Sequence, residues 1–164
     1  MKYCMECGCE LTKKYLDNEG MIPFCPNCNE YCFPVFSTAV SMVVMNKSKD
    51  KILLIKQYGK NNFVLVAGYV NKGEDAETAV VREVSEELGL EVVELKFNKS
   101  KYFKPSNTLM LNFSCVVNDE SLNNINEEVD YAQWFSFEDA IKNIMDKSLA
   151  KEFLENFLDN KKST

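Results

Sequence analysis

The sequence predicts an α/β sandwich built around a mixed β-sheet and preceded by a small cysteine-rich unit. Six of the seven cysteines lie within the first 32 residues. Beyond them, stretches rich in β-branched residues alternate irregularly with segments of helical periodicity. The composition, 46% hydrophobic, 12% aromatic and 27% charged, is typical of a globular protein. A chain of 164 residues can therefore form one core of ordinary size beside the small unit.

The cysteine-rich unit has the spacing of a structural zinc site. Two residues separate Cys4 from Cys7 and Cys25 from Cys28, and 17 residues lie between the two pairs. Two residues between thiolates let one tight turn direct both sulfurs at one ion, and two such turns complete a tetrahedron. We therefore predict a four-cysteine zinc ribbon over residues 1–33, in which the zinc supports folding and takes no part in catalysis.

The remaining cysteines of this unit are predicted to be bystanders, although either Cys9 or Cys32 could replace a neighbouring ligand. The alternative to zinc is a set of free or redox-active cysteines. The first residues contain no apolar leader segment, so we expect a cytoplasmic protein, and a reducing compartment disfavours disulfides. Residues 17–20 form a polar, glycine-containing cluster that predicts the turn of a hairpin between the two pairs.

Residues 34–164 are predicted to form the larger domain. It begins with a hairpin of two buried strands at 38–45 and 51–57, which a polar turn connects. A short strand is expected at 63–66, and the last residues, 160–164, are expected to be frayed. Further strands are predicted at 90–95, 109–117 and 129–135, and helices at 76–88, 137–145 and 148–158.

The composition restricts the chemistry that the chain can perform. The chain has no histidine, which excludes Ser-His-Asp and Cys-His catalysis and any histidine-liganded metal. Its formal net charge of −6 argues against bare nucleic acid as the main partner, although a metal cation could still hold a small anionic ligand. No apolar run approaches the ~18 residues of a membrane-spanning helix, so we expect no membrane partner.

The helix predicted at residues 76–88 carries a cluster of acids. Glu83, Glu86 and Glu87 stand at i, i+3 and i+4, so their carboxylates share one helical face. The apolar residues lie on or near the opposite face, and we expect the acids to point outward. Like charges at this spacing repel, and a hard cation such as Mg²⁺ or Mn²⁺ would offset that repulsion. From spacing alone, a solvated acidic face without metal is the alternative.

The 23 residues that include this helix match a known motif, Gly-x5-Glu-x7-Arg-Glu-U-x-Glu-Glu-x-Gly-U with U aliphatic, at every defined position. This motif is the Nudix box, and the chain is identified as a member of the Nudix family. The resemblance implies the family's α/β/α sandwich and hydrolysis of a nucleoside diphosphate linked to another group, X, with Mg²⁺ or Mn²⁺. The matching residues are Gly68, Glu74, Arg82, Glu83, Val84, Glu86, Glu87, Gly89 and Leu90.

The same resemblance implies a role for most residues of the box. The three clustered glutamates of the helix would bind the metal ions, with the backbone carbonyl of Gly68 as a further ligand. Glu74 and Arg82 would form a structural ion pair that fixes the loop against the helix.

The resemblance also implies a fourth carboxylate outside the box. The residues Trp-Phe at 134–135 resemble the strand end that follows the family's downstream metal carboxylate, and Glu128 stands six residues before Trp134. We predict that Glu128 is a metal ligand or the catalytic base, with Glu127 as the alternative register and a solvated loop acid as the alternative role. A water deprotonated by Glu83 or Glu128 would attack one phosphorus in line, and cations would stabilise the leaving phosphate.

The four-cysteine ribbon and the sequence Val-Ala-Gly-Tyr-Val at the entry of the box resemble the NADH pyrophosphatase subfamily. The subfamily's signature after the box, Ser-Gln-Pro-Trp-Pro-Phe-Pro-x-Ser, is only partly present in residues 100–108. In this segment Phe103 or Tyr102 is predicted to stack on a base, and Lys101 or Lys104 to contact a phosphate. The alternatives are core packing for the aromatic rings and solvated surface charges for the lysines.

The predicted partner is therefore a small nucleotide, and within that class a dinucleotide such as NADH or NAD. Alternative substrates are ADP-ribose, a nucleotide sugar, a dinucleoside polyphosphate and the NAD cap of RNA. A different class of function is a nucleotide-sensing module whose ribbon recognises RNA or protein, but the complete set of carboxylates argues against lost catalysis. The resemblance also suggests a homodimer.

Overall fold

The computed structural model describes residues 1–162. The chain divides into two compact units between Phe36 and Ser37, whereas the sequence analysis places the boundary between residues 33 and 34. Within residues 1–162, no helix is both long enough and apolar enough to cross a bilayer. The last helix continues to Lys162, so most of the segment that we expected to be frayed is helical, and residues 163–164 lie outside the described part of the chain.

The small unit is a three-stranded antiparallel sheet in the order β1-β2-β3. The turn between β1 and β2 contains Asn18, whose φ of 68° lies in the left-handed region that asparagine tolerates. Only Cys4, Phe24 and Cys25 of this unit are buried. So small an apolar core cannot support a fold by itself, and units of this size usually need a metal or disulfides. The strands span Thr12–Leu16 (β1), Gly20–Cys25 (β2) and Glu30–Tyr31 (β3).

The larger unit contains a six-stranded mixed sheet in the order β7-β8-β4-β5-β9, with β6 also paired to β4. Strands β4 and β8 are parallel, and the other pairs are antiparallel. The strands span Ser37–Met45 (β4), Lys51–Gln57 (β5), Val66–Tyr69 (β6), Val92–Phe103 (β7), Thr108–Val117 (β8) and Val129–Ser136 (β9), and the helices Ala76–Leu88 (α1), Phe137–Asn143 (α2) and Leu149–Lys162 (α3).

Alternation along β4 divides the core into two layers. Val40, Met42 and Val44 belong to one apolar cluster, whereas Val43 and Met45 belong to the other. Successive side chains of a strand point to opposite faces of the sheet, so the clusters lie on its two sides. Helix α1 contributes its apolar residues to the first cluster, and α2 and α3 contribute theirs to the second. The predicted α/β/α sandwich is thus confirmed.

The predicted hairpin of β4 and β5 is only partly present. The two strands pair at Met45 and Ile52 and then diverge, because β4 pairs with β6 and β8 while β5 pairs along its length with β9. Strand β6 begins at Val66, three residues after the start that we predicted. Strand β7 extends to Phe103 instead of ending at residue 95. Two bulges interrupt its pairing with β8. They break the alternation of polar and apolar residues by which a strand is predicted from sequence.

Helix α1 begins and ends as its sequence predicts. The Asp75 carboxylate accepts a hydrogen bond of 2.7 Å from the backbone N–H of Thr78, which satisfies one of the free donors at the helix start. Gly89 ends the helix in the left-handed conformation, with φ at 67°. These local signals set the ends of the helix that carries the acidic cluster.

Candidate active site

One cavity of about 460 Å³ brings the acids of α1 together with residues from four strands, three loops and a short 3-10 turn. Glu83, Glu86 and Glu87 line it from the helix, and Glu128 lines it from the loop before β9. Because Glu128 is distant in sequence, only the folded chain places it beside the acids of the helix. Among the described residues that line the cavity, Arg82 is the only cationic side chain.

Glu87 differs from our expectation that the acids point outward. Its side chain is buried, with the residue only 3% exposed, and its Oε2 atom has no hydrogen-bond partner. Burial, and then the nearby carboxylates of Glu83, Glu128 and Glu86, raise the pKa of Glu87 to about 8. The expectation was wrong for Glu87 because α1 packs so closely on the sheet that its acidic face forms the floor of a cavity.

Glu83 packs directly against the backbone of Gly68 in β6. A Cβ atom at position 68 would overlap the Glu83 carboxyl group, so any other residue there would require the Glu83 side chain to move. The carboxylate of Glu83 therefore lies beside the main chain of β6, where Gly68 also lines the cavity.

Arg82 connects the loop of the motif to the helix. Its Nε and Nη2 atoms donate to the two oxygens of Glu74 at 2.8 and 3.0 Å, and Nη2 also donates to the Tyr69 carbonyl at 2.9 Å. Its Nη1 atom donates to Glu83 at 2.7 Å and to Glu86 at 3.0 Å. Hydrogen bonds from Arg82, and then from the backbone, lower the pKa of Glu74 to about 2. The predicted pairing of Glu74 with Arg82 is present in this geometry.

The loop before β9 is attached to the end of α1. The backbone N–H of Asn126 donates to the Glu87 carbonyl at 3.0 Å, and the Asn126 side chain accepts from the backbone N–H of Glu128 at 3.0 Å. Tyr58 donates its hydroxyl to Glu128 at 3.3 Å. Tyr58 follows β5 with a φ of 56°, an unusual conformation for a tyrosine. No motif in the sequence marks Tyr58 or Asn126, so sequence analysis missed both.

The glutamates line one cavity without converging on one point. Within residues 1–162, the only cluster of three or more ligand side chains whose atoms all lie within 4.8 Å of one another consists of cysteines. Arg82 donates hydrogen bonds to the carboxylates of Glu83 and Glu86. The four glutamates therefore line the cavity without forming one compact cluster of ligand atoms.

The residues predicted to contact substrate after the motif lie elsewhere. Lys101 and Phe103 line a separate cavity beside α3, where Lys101 forms an ion pair with Glu152. Lys104 begins a short 3-10 turn and is exposed. From this segment, Ser106 instead lines the cavity that contains the four glutamates, which we call the carboxylate cavity. The structure does not bring Lys101 and Phe103 to the acids, and their contacts with substrate stay predictions.

The four paired cysteines of the small unit form the cluster that their spacing predicts. The Sγ atoms of Cys4 and Cys28 are 3.9 Å apart, and those of Cys7 and Cys25 are 3.5 Å apart. A tetrahedral site with Zn–S distances of about 2.3 Å has edges of about 3.8 Å. The sulfur positions therefore suit a tetrahedral ion and are far from the disulfide distance of about 2.0 Å.

The electrostatics of this cluster also favour a cation. Hydrogen bonds, first from the backbone N–H of Cys9, lower the pKa of Cys7 to about 6. Hydrogen bonding to Cys7, and then to Cys25, raises the pKa of Cys28. The Sγ atoms of Cys9 and Cys32 contact backbone carbonyl oxygens at 3.5 and 4.0 Å, and the Cys32 thiol also interacts with the Cys4 thiol of the cluster. A bound cation would stabilise the thiolates together.

Comparison with known proteins agrees with these features. Residues 35–157 match the family model described as the NUDIX domain. The chain is 30% identical over 159 residues to a Pseudomonas aeruginosa protein named NAD-capped RNA hydrolase NudC, covering 96% of this chain and 55% of that protein. It is 31% identical over 150 residues to the Arabidopsis thaliana protein named Nudix hydrolase 19, chloroplastic, covering 86% of this chain and 34% of that one.

A solved structure extends the comparison to the fold. The crystal structure of a NUDIX hydrolase from Nitrosomonas europaea superposes with a TM-score of 0.71 at 18% identity, covering 99% of this chain and 93% of that chain. An identity this low shows a common fold alone. The chain spans about half the length of the Pseudomonas relative.

Proposed function

Because the chain belongs to the Nudix family, we propose that it is a pyrophosphohydrolase that cleaves the diphosphate bond of a nucleoside diphosphate linked to X. The observation that carries this proposal is the position of Glu128. Its carboxylate lines the same cavity as Glu83, Glu86 and Glu87, although it comes from a different element of the chain. Four carboxylates around one cavity suit the cation-assisted chemistry of phosphoryl transfer.

The residues present fit a hard divalent cation. Their ligand atoms are oxygens, and Mg²⁺ and Mn²⁺ prefer oxygen ligands. The buried, unpartnered Oε2 atom of Glu87 is an acceptor that a cation would satisfy. Glu83, Glu86, Glu87 and the Gly68 carbonyl would hold such ions, and Glu128 would act as a further ligand or as the base. When bound, the ions would neutralise charge on the phosphoryl oxygens and acidify water.

The side chains around the cavity have separate roles in orienting the carboxylates and in accepting a proton. Arg82 fixes the carboxylates of Glu83 and Glu86 and ties the helix to Glu74, so these oxygens are oriented before substrate binds. Arg82 donates a hydrogen bond of 2.7 Å to Glu83, whereas Glu128 accepts a longer side-chain hydrogen bond of 3.3 Å from Tyr58 and is less tightly held. Of the two predicted bases, we therefore favour Glu128 over Glu83.

For the substrate, we propose a dinucleotide of the NADH or NAD class. Its support is the combination of the four-cysteine cluster with the Nudix motif, together with the name of the Pseudomonas relative, NAD-capped RNA hydrolase. That name makes the NAD cap of RNA the second candidate. The net charge of −6 favours the free dinucleotide, because long RNA would be repelled outside the cavity.

A panel of nucleotides tests this proposal. The protein is incubated with NADH, NAD, ADP-ribose, FAD and an NAD-capped RNA, in Mg²⁺ or Mn²⁺ and in a chelator, and the products are separated by chromatography. We expect cleavage of a dinucleotide to two monophosphates that requires the added cation. If ADP-ribose or the capped RNA is cleaved faster than NADH and NAD, that compound replaces the dinucleotide as the proposed substrate. No cleavage of any compound would instead favour the nucleotide-sensing module.

We also propose that Cys4, Cys7, Cys25 and Cys28 bind one structural zinc ion. Their Sγ spacing suits a tetrahedral ion, and the unit around them buries almost no apolar side chains. With four thiolate ligands, no coordination position would stay open for substrate. The homodimer that the resemblance suggests stays a prediction, which light scattering of the purified protein would test.

A further inference from the structure

Two buried side-chain atoms in the part of the chain that the structure describes have no hydrogen-bond partner. They are Oε2 of Glu87 and Oε1 of Gln57. Leaving a buried polar atom unpartnered costs free energy, so each such atom needs a physical reason. Both residues line the carboxylate cavity, so one cause could account for both.

The position of Gln57 in the sheet explains how it reaches this cavity. Leu53 and Ile55 belong to the apolar cluster that packs against α1. Because side chains alternate along a strand, Gln57 lies on the same face as these two residues. It is the last residue of β5 and pairs with Val129, beside a bulge. The strand pairing thus places Gln57 next to the residue that follows Glu128.

The chemistry of the two unpartnered atoms restricts what can satisfy them. An amide oxygen is an acceptor, and the Glu87 oxygen is an acceptor once the carboxyl group loses its proton, so both can then bind a cation. Four carboxylates line the same cavity against one arginine, whose guanidinium already binds other groups. A hard cation is therefore the favoured partner, and carbonyl oxygens are suitable ligands for Mg²⁺ and Mn²⁺.

We propose that the side-chain carbonyl oxygen of Gln57 is a further ligand for a divalent cation in the carboxylate cavity. The proposal rests on the metal-dependent function proposed above and adds a residue outside the Nudix motif. The side-chain carbonyl oxygen of Gln57 would add one ligand atom to those of the glutamates.

The test measures Mn²⁺ binding to the whole chain without substrate, by electron paramagnetic resonance of free Mn²⁺ and by calorimetry. In Gln57→Met the side chain keeps its length and loses its oxygen, and we expect the Mn²⁺ Kd to rise about tenfold. Gln57→Glu keeps an oxygen and should bind at least as tightly as the wild type. Gln133→Met makes the same chemical change on β9, outside the cavity lining, and should leave the Kd unchanged.

A fourth variant, Glu86→Gln, separates the two proposals. If the wild type binds no Mn²⁺, or if Glu86→Gln binds it normally, the proposed metal centre fails, and the role of Gln57 fails with it. If Glu86→Gln weakens binding and Gln57→Met stays within twofold of the wild type, the role of Gln57 alone is overturned. Loss of binding in both Gln57→Met and Gln57→Glu would also overturn it, since the second variant retains an oxygen.

Discussion

The backbone N–H of Asn126 donates a hydrogen bond of 3.0 Å to the carbonyl of Glu87. This bond joins the loop before β9 to the last turn of α1. Because Asn126 also accepts a hydrogen bond from the backbone of Glu128, the same short chain of contacts holds Glu128 beside the acids of the helix. The cavity is therefore built by a contact between two segments that are distant in sequence.

Neutralising an acid of the helix should remove activity without unfolding the protein. We expect Glu83→Gln and Glu86→Gln each to lower kcat by about a hundredfold or more, because each loses a negative charge that would hold a cation. Turnover of the best substrate in the nucleotide panel measures this, and circular dichroism checks the fold. Glu77→Gln, in the first turn of α1 and outside the cavity lining, is the matched control. Near-normal activity in both glutamate variants would contradict the proposed function.

Two adjacent glutamates before β9 provide a comparison within one loop. Glu128 lines the cavity, whereas its neighbour Glu127 is absent from the lining and exposed. We expect Glu128→Gln to lower kcat by at least about a hundredfold, and Glu127→Gln to leave it within about twofold. Equal losses in the two variants would indicate a general electrostatic effect of the loop. A loss confined to Glu127→Gln would establish the alternative register.

Zinc content should follow the four clustered cysteines. We expect about one zinc per chain by elemental analysis, and loss of that zinc in Cys25→Ser, because Cys25 is a buried member of the cluster. Cys9→Ser should retain it, since the Cys9 thiol contacts a backbone carbonyl oxygen outside the cluster. Substantially less than one zinc in the wild type would refute a structural zinc site. Retention in Cys25→Ser would point to a different ligand set.

The pairing of Glu74 with Arg82 should make stability depend on pH. The pKa of Glu74 falls from its ordinary value of 4.5 to about 2 in the folded protein. A lowered pKa in the folded state stabilises the protein above pH 4.5, and this contribution is lost as the pH falls from 4.5 towards 2. Glu74→Gln should therefore lower the free energy of unfolding more at pH 7 than at pH 3.

Urea denaturation at both pH values measures this difference. Glu77→Gln again serves as the control. The Glu77 side chain is exposed, and the hydrogen bonds of the Arg82 guanidinium go to other residues. If Glu74→Gln lowers the free energy of unfolding by the same amount at both pH values, the ion pair is not the cause of that loss.

Features that depend on neighbouring residues could be predicted from the sequence. The ends of α1 follow from Asp75 and Gly89, and the cysteine cluster follows from two short spacings. Strand β7 was harder to predict, because bulges and polar residues conceal its alternation. The burial of Glu87 could not be predicted, since helical spacing shows which residues share a face but not how closely that face packs on the sheet.

The sequence by itself determined that three acids share one face of a helix and that four cysteine thiols form one cluster. Both features depend on helix caps and short spacings, which involve only a few neighbouring residues. Only the tertiary structure decided that this face forms a cavity floor. Strand pairing brings Gln57 beside the loop of Glu128, and the Asn126 contact joins that loop to Glu87. These contacts depend on which segments pair across the sheet, and local spacing carries no information about that choice.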